Sequence, residues 1–248
     1  MAIKAFKRFE KKFILNESQY KSLLPILYKY MNPDKYCKNG NNYNIYSIYY
    51  DTNDNQVIRH SINKPYYKEK LRLRSYKAPI EENDKVFLEL KKKINGIVNK
   101  RRATLTLKEA EMFLEYRKRP NSMDYLNNQV LNEIEYYLDN NNVSPKVFIS
   151  YSRKAFFGKN DKDFRITFDS NIISRRDNLS LKMSSYGDEI LPKDYYLMEV
   201  KILGSIPIWL TKALSEFKIY STHFSKYGNE YMSYCLNKTY DIRRRSIC

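Results

Sequence analysis

Residues 68–76 read KEKLRLRSY, and the fold turns on which side of this stretch faces inward. Lys70, Arg72 and Arg74 alternate with Leu71 and Leu73. On a β-strand successive side chains point to opposite faces, so the three cations line one side and the leucines the other. With the leucines buried and the cations wet, this is an ordinary half-exposed strand. With the cations directed into the fold, an anion must sit there with them, because each uncompensated buried ion costs several kcal/mol.

The alternation recurs along the chain. Arg8, Glu10 and Lys12 alternate with Phe9 and Phe13, and Glu89 and Lys91 with Leu88 and Leu90. Lys100 and Arg102 share a face, Arg153 lies in a late strand, and Arg165 shares a face with Thr167 and Asp169 in the next. Glu199 and Lys201 alternate with Met198 and Val200. A merely solvated face balances its signs and mixes in short polar residues, whereas this series is rich in Arg and Lys with single Glu residues between them.

Local signals place the elements. Strands are predicted near 5–14, 44–52, 68–76, 86–93, 97–107, 145–157, 163–169 and 195–203. Asn95-Gly96 between two of these runs is a hairpin turn. Asn16 with Gln19, and Thr106 with Glu109, read as capping boxes that open helices, the first carrying a kink at Pro25. Further helices are predicted near 53–61, 123–139, 207–218 and 228–236, and the tail DIRRRSIC reads as loose. No linker or tandem repeat interrupts the chain, so residues 1–240 are read as one domain followed by a basic tail at 241–248. Strands with helices grouped between and after them suggest α+β, with a large antiparallel sheet or a closed barrel. Closure into a barrel would gather the charged faces around one wet lumen and leave the apolar faces outward, under amphipathic helices.

Composition narrows the function classes. The 248 residues carry 42% hydrophobic residues, 24 tyrosines and a formal net charge of +17. That surplus points to anionic partners. Cys37, Cys235 and Cys248 have no metal or disulfide spacing, and His60 and His223 are too few for a histidine metal site. MAIKAFKRFEKKF lacks the apolar run of a signal peptide, and the greasiest stretch, 202–210, is too short to span a bilayer. A soluble, cytoplasmic protein is expected. No G-x-x-x-x-G-K-[ST] occurs, no Ser-His-Asp set is evident, and no reading helix or RNP-like motif suggests specific nucleic-acid binding.

The ordered series Arg8-Phe9-Glu10-Lys11-Lys12, IYYDT with Asp51, LRLRSY, LELK, NKRR, the Arg153 and Arg165 strands, MEVK and FSKYGNE resembles the VTC (vacuolar transporter chaperone) domain. That domain is the polyphosphate polymerase member of the CYTH, or triphosphate tunnel metalloenzyme, superfamily. The resemblance covers nearly the whole chain and implies a closed antiparallel β-barrel, a tunnel lined by basic residues with helices outside. It implies a phosphotransferase that moves the γ-phosphoryl of ATP onto polyphosphate with Mn²⁺ or Mg²⁺. The superfamily also offers tripolyphosphate or nucleoside triphosphate hydrolysis, or polyphosphate binding alone. By position the resemblance makes Lys226, Arg72, Arg74 and Lys91 catalytic. It adds Lys12, Lys100, Arg102, Arg153, Arg165 and Ser225 as phosphate-binding residues, and Glu199, with Glu10 and Glu89 as accessories, as metal ligands. Arg8 replaces the first Glu of the superfamily's E-x-E-x-K, which weakens hydrolysis and favours transfer. The regulatory domain and membrane helices of fungal members are not in the sequence, which leaves export of a product to a membrane partner protein.

Overall fold

Asn16 closes one element and opens the next. Its side chain accepts from the Gln19 amide at 2.9 Å, while Gln19 Oε1 accepts from the Asn16 amide at 3.0 Å, the expected capping box. In the computed structural model, which describes residues 9–121 and 124–245 (the side chains of 38, 39 and 238–245 apart), the chain runs as follows. β1 (Phe9–Asn16), α1 (Glu17–Tyr30), β2 (Met31–Pro33), a 3-10 turn, β3 (Tyr43–Asp51), α2 (Gln56–Ile62) and β4 (Tyr67–Ser75) come first. β5 (Lys85–Ile94), β6 (Ile97–Thr106), α3 (Leu107–Tyr116), α4 (Tyr125–Asn140) and β7 (Ser144–Gly158) follow. β8 (Arg165–Arg175), β9 (Asp188–Glu189), β10 (Tyr195–Ile202), α5 (Ile208–Glu216), β11 (Ser221–Thr222) and α6 (Lys226–Arg245) complete it. Arg8, on which the departure from E-x-E-x-K rests, lies outside the described residues.

Local chemistry explains the boundaries. Asn95 and Gly96 both adopt positive φ, 44° and 82°, as a two-residue hairpin turn requires. They set the register of β5 on β6, with Ile94 opposite Ile97. Thr106 and Glu109 form the second capping box and turn β6 into α3. α1 continues as one helix through Pro25. α6 begins at Lys226 and continues to Arg245, well past the predicted end at 236.

The chain forms two compact units. One comprises Met1–Asn44, Tyr151–Ile172 and Leu191–Ser225; the other comprises Ile45–Ser150, Ile173–Ile190 and Lys226–Cys248. In the first, Leu23 and Leu27 of α1 and Leu210 and Leu214 of α5 pack on Phe13, Phe168, Met198 and Val200 of the strands. In the second, Phe113 of α3 and Leu131, Ile134 and Leu138 of α4 cover Leu71, Leu73, Leu88, Leu90 and Leu105. The leucines of residues 68–76 are therefore core, roofed by helices, and Lys70, Arg72 and Arg74 occupy the opposite face.

The fold is α+β with an antiparallel sheet, but the expected closed barrel is not formed. Hydrogen-bonded strands follow the order β11-β1-β10-β8-β7-β3-β4-β5-β6, an open path. Its two ends explain why. β11 is only two residues long. At β6 the Asn127 side chain donates to the Thr104 carbonyl at 3.0 Å and accepts from the Thr104 amide at 2.9 Å. A side-chain amide from α4 thus takes the place of a further strand, which is how exposed sheet edges are blunted.

Candidate functional site

In the second unit the strand registers build a grid on the face opposite the core. Tyr49 of β3 lies opposite Arg72 of β4, Arg72 opposite Glu89 of β5, and Glu89 opposite Arg102 of β6. One pleat further, Lys70, Lys91 and Lys100 form a second row in direct register. One pleat the other way, Arg74 lies between Ser47 and Phe87. Like charges directly opposite on neighbouring strands are destabilising by themselves, and at one end of this row Lys100 is paired with Glu89.

Glu89 is the carboxylate of this grid. It is fully buried, and Arg72 Nε donates to its Oε2 at 2.6 Å and Arg102 Nε to its Oε1 at 2.7 Å. Lys100 Nζ stands 2.6 Å from Oε1, and Arg74 Nε 3.8 Å from Oε2. Burial alone works to raise the Glu89 pKa, but Arg72, Arg74 and Lys100 outweigh it and hold the carboxyl well below its ordinary range. Partial loss of solvent, aided by Arg72 and Arg102 and opposed by Glu89, lowers Lys100 to about 8.

Lys226 enters this unit as the first residue of α6, immediately after Ser225. The start of α6 is fastened from two sides. The Tyr227 hydroxyl donates to Asp51 Oδ2 at 2.7 Å, and the buried Asp51 also accepts from the amides of Thr52, Val57 and Ile58. Arg176 forms a bidentate pair with Glu230, at 2.6 and 2.9 Å, and donates to Asn55 Oδ1 at 2.9 Å. Burial works to raise the Tyr49 pKa, yet Arg72, Arg74 and Lys226 together lower it, which sets the Lys226 charge in the field of the arginine pair.

In the first unit charges of opposite sign face each other. Glu10 of β1 lies opposite Lys201 of β10, and Lys12 opposite Glu199. Lys12 Nζ stands 3.5 Å from Glu10 and 3.6 Å from Glu199, and donates to the Phe224 carbonyl at 2.8 Å. Lys201 Nζ is 3.7 Å from Glu10 and 3.5 Å from Glu199. Arg153 is held by both oxygens of Asp169, at 2.6 and 2.7 Å. Burial works against its charge, but Asp169 more than restores it and raises the Arg153 pKa well above the ordinary value. Arg165 reaches Asp34 at 3.6 Å and the Tyr43 hydroxyl at 3.4 Å, its guanidinium 4.9 Å from the Phe157 ring centre.

The sequence-derived residues thus fall into two sets. Arg72, Arg74, Lys91, Lys100, Arg102, Glu89 and Lys226 belong to the second unit, and Glu10, Lys12, Arg153, Arg165, Glu199 and Ser225 to the first. Lys70, Tyr49 and Asp51 were not singled out as site residues. The Asn95-Gly96 turn fixes Lys91 opposite Lys100, so the β5–β6 part of the lysine row could have been read from sequence; Lys70 needs the β4–β5 register, which no short turn fixes.

As a divalent-metal set the carboxylates divide. Mg²⁺ typically takes one or two carboxylates together with substrate phosphates. Glu10 and Glu199 face Lys12 and Lys201 only at 3.5 to 3.7 Å, and would be the pair to serve that need. Glu89 would not, because Arg72, Lys100 and Arg102 hold its oxygens at 2.6 to 2.7 Å. Among the described residues no group of three or more His, Cys, Asp or Glu is arranged to hold a metal ion, and no helix is long and apolar enough to cross a membrane.

Comparison with known proteins gives one family. The sequence profile described as the VTC domain matches residues 7–235. No curated protein matches. Among solved structures, a protein of Bacillus halodurans described as a "putative adenylate cyclase" is similar with a TM-score of 0.52 and 18% identity, over 87% of this chain and 92% of that one. A protein of the same description from Vibrio parahaemolyticus matches with a TM-score of 0.41 and 14% identity, over 89% of this chain and 94% of that one. A protein of Pyrococcus horikoshii gives 0.42 and 13%, over 93% and 99%. The first of these likenesses supports a shared fold.

Proposed function

The chain belongs to the VTC domain family, and from that premise we propose that it is a phosphotransferase that moves the γ-phosphoryl group of ATP onto a polyphosphate chain. The observation that supports this most is the face of β4, β5 and β6. Lys70, Lys91 and Lys100 stand in register beside Arg72, Arg74 and Arg102, and Glu89 is the carboxylate among them. A linear polyanion with one negative charge or more per phosphate matches such rows, and arginine forks and lysine point charges both suit phosphate oxygens.

The chemistry asked of the protein is modest. Phosphoryl transfer is mainly positioning plus neutralisation of charge that spreads over the moving group. Arg72, Arg74, Lys91 and Lys100 would hold and neutralise the phosphates. Lys226 would act at the reacting group from the N-terminus of α6, where a cation is costly unless an anion accompanies it. No side-chain nucleophile is required, because the acceptor is a terminal phosphate oxygen already ionised. Within the first unit, Glu10 and Glu199 are the carboxylates that would hold a Mn²⁺ or Mg²⁺ ion, whose chemistry is to neutralise phosphate oxygens.

The test is to incubate the pure chain with ATP and Mn²⁺ and to run a polyphosphate gel beside a phosphate-release assay. Long polyphosphate with ADP is expected. Orthophosphate without chains would instead make the protein a triphosphate hydrolase, and tight polyphosphate binding with no turnover would make it a binding module.

A further inference from the structure

Tyr49 ends the Tyr49–Arg72–Glu89–Arg102 row, directly opposite Arg72, and is nearly buried. Its hydroxyl accepts a hydrogen bond from Arg72 Nη1 at 3.2 Å. A phenol can accept and donate at once, and among the described residues no acceptor receives the Tyr49 proton. The ring is not free to swing toward one. It packs on Tyr227 with centroids 5.0 Å apart, and Tyr227 is tied to the buried Asp51. The structure therefore fixes a neutral donor beside Arg72 and within the electrostatic reach of Arg74 and Lys226.

We infer that the Tyr49 hydroxyl is a further phosphate contact, donating its proton to a non-bridging oxygen of the same phosphate chain that Arg72 and Arg74 bind. The inference rests on the proposed function and adds to it a neutral group among cations. A hydroxyl made more acidic by three neighbouring charges is a stronger donor to a phosphate oxygen. The competing account is that the ring is wall and the hydroxyl merely steadies Arg72.

A double-mutant cycle separates the two. Binding of inorganic tripolyphosphate to the full chain would be measured by calorimetry for wild type, Tyr49→Phe, Arg72→Gln and the double variant. Phenylalanine keeps the ring and its packing on Tyr227. Tyr49→Phe is expected to weaken binding about ten-fold, the scale of one hydrogen bond to a charged group, both with Arg72 present and with Arg72 replaced. Unchanged affinity in Tyr49→Phe would overturn the inference. So would a loss seen with Arg72 present and absent in the Arg72→Gln background, since the hydroxyl would then act through Arg72 alone. Wild type that fails to bind tripolyphosphate would overturn the proposed function, and the inference with it. Where circular dichroism shows Arg72→Gln to be unfolded, Arg72→Lys takes its place in the cycle.

Discussion

A carboxylate without exposed surface keeps its charge only where cations surround it, and Glu89 has Arg72, Arg102 and Lys100 within 2.7 Å. As a counter-ion it spaces and orients the cations that a phosphate chain would meet. Glu89→Gln leaves those cations facing one another. The expected loss is about 3 kcal/mol, the lower end for breaking a buried pair because Lys100 and Arg102 keep contact with water, or a midpoint lowered by roughly 6–12 °C. Saturating tripolyphosphate should recover more of that loss than it adds to wild type. Thermal melts with and without the anion check this, and an unaltered midpoint would contradict the counter-ion role. Lys100 gives a pH signature. Its pKa in the fold is about 8, below its ordinary value, so the unfolded chain binds the proton more tightly. Stability from this group therefore rises with pH above about 8 and is lost as pH falls through it. Anion binding has the opposite sense, because it needs the ammonium: affinity for tripolyphosphate should fall as pH climbs past 8, and Lys100→Arg should flatten that fall. Equal pH profiles for the two proteins would remove Lys100 from the contact set.

At the scale of elements, what was legible in the sequence was what is local. Two capping boxes span four residues each, and the Asn95-Gly96 turn carries its own register. The fastening of α6 was not legible, because Tyr227 and Asp51 lie 176 residues apart and nothing local marks either as a partner. Yet that fastening sets where Lys226 stands. Lys226→Ala is expected to cut turnover at least ~10²-fold, the scale of removing one charge stabiliser. Tyr227→Phe removes only the hydroxyl that donates to Asp51, and should cost turnover about ten-fold, or roughly 1.4 kcal/mol, through misplacement of the neighbouring lysine. Because the tyrosine acts through Lys226, it should cost nothing further in the Lys226→Ala background. Additive losses in the double variant would assign Tyr227 a role of its own.

At the scale of the whole molecule, alternation tells which face of a strand is charged and is silent on whether the sheet closes. Closure is decided at the edges, by a two-residue β11 and by Asn127 reaching from α4 to Thr104, neither of which has a periodic signature. The charge balance is legible and makes a quantitative demand. A net +17 chain attracts any polyanion weakly, so salt dependence alone is not diagnostic. What distinguishes an organised face is the contribution of individual cations. Each phosphate neutralised by a bound cation releases counter-ions and adds about 0.7 to the slope of log affinity against log salt for a single-stranded polyanion. If Lys70, Lys91, Lys100, Arg72, Arg74 and Arg102 all engage long polyphosphate, the slope should be about −4. Lys91→Ala should reduce its magnitude by about 0.7, while Lys212→Ala, an exposed lysine on α5, should leave it unchanged. Titrations of polyphosphate at several KCl concentrations read both slopes. Equal effects from the two substitutions would mean that the anion is held by diffuse charge and that the in-register rows are not its binding face.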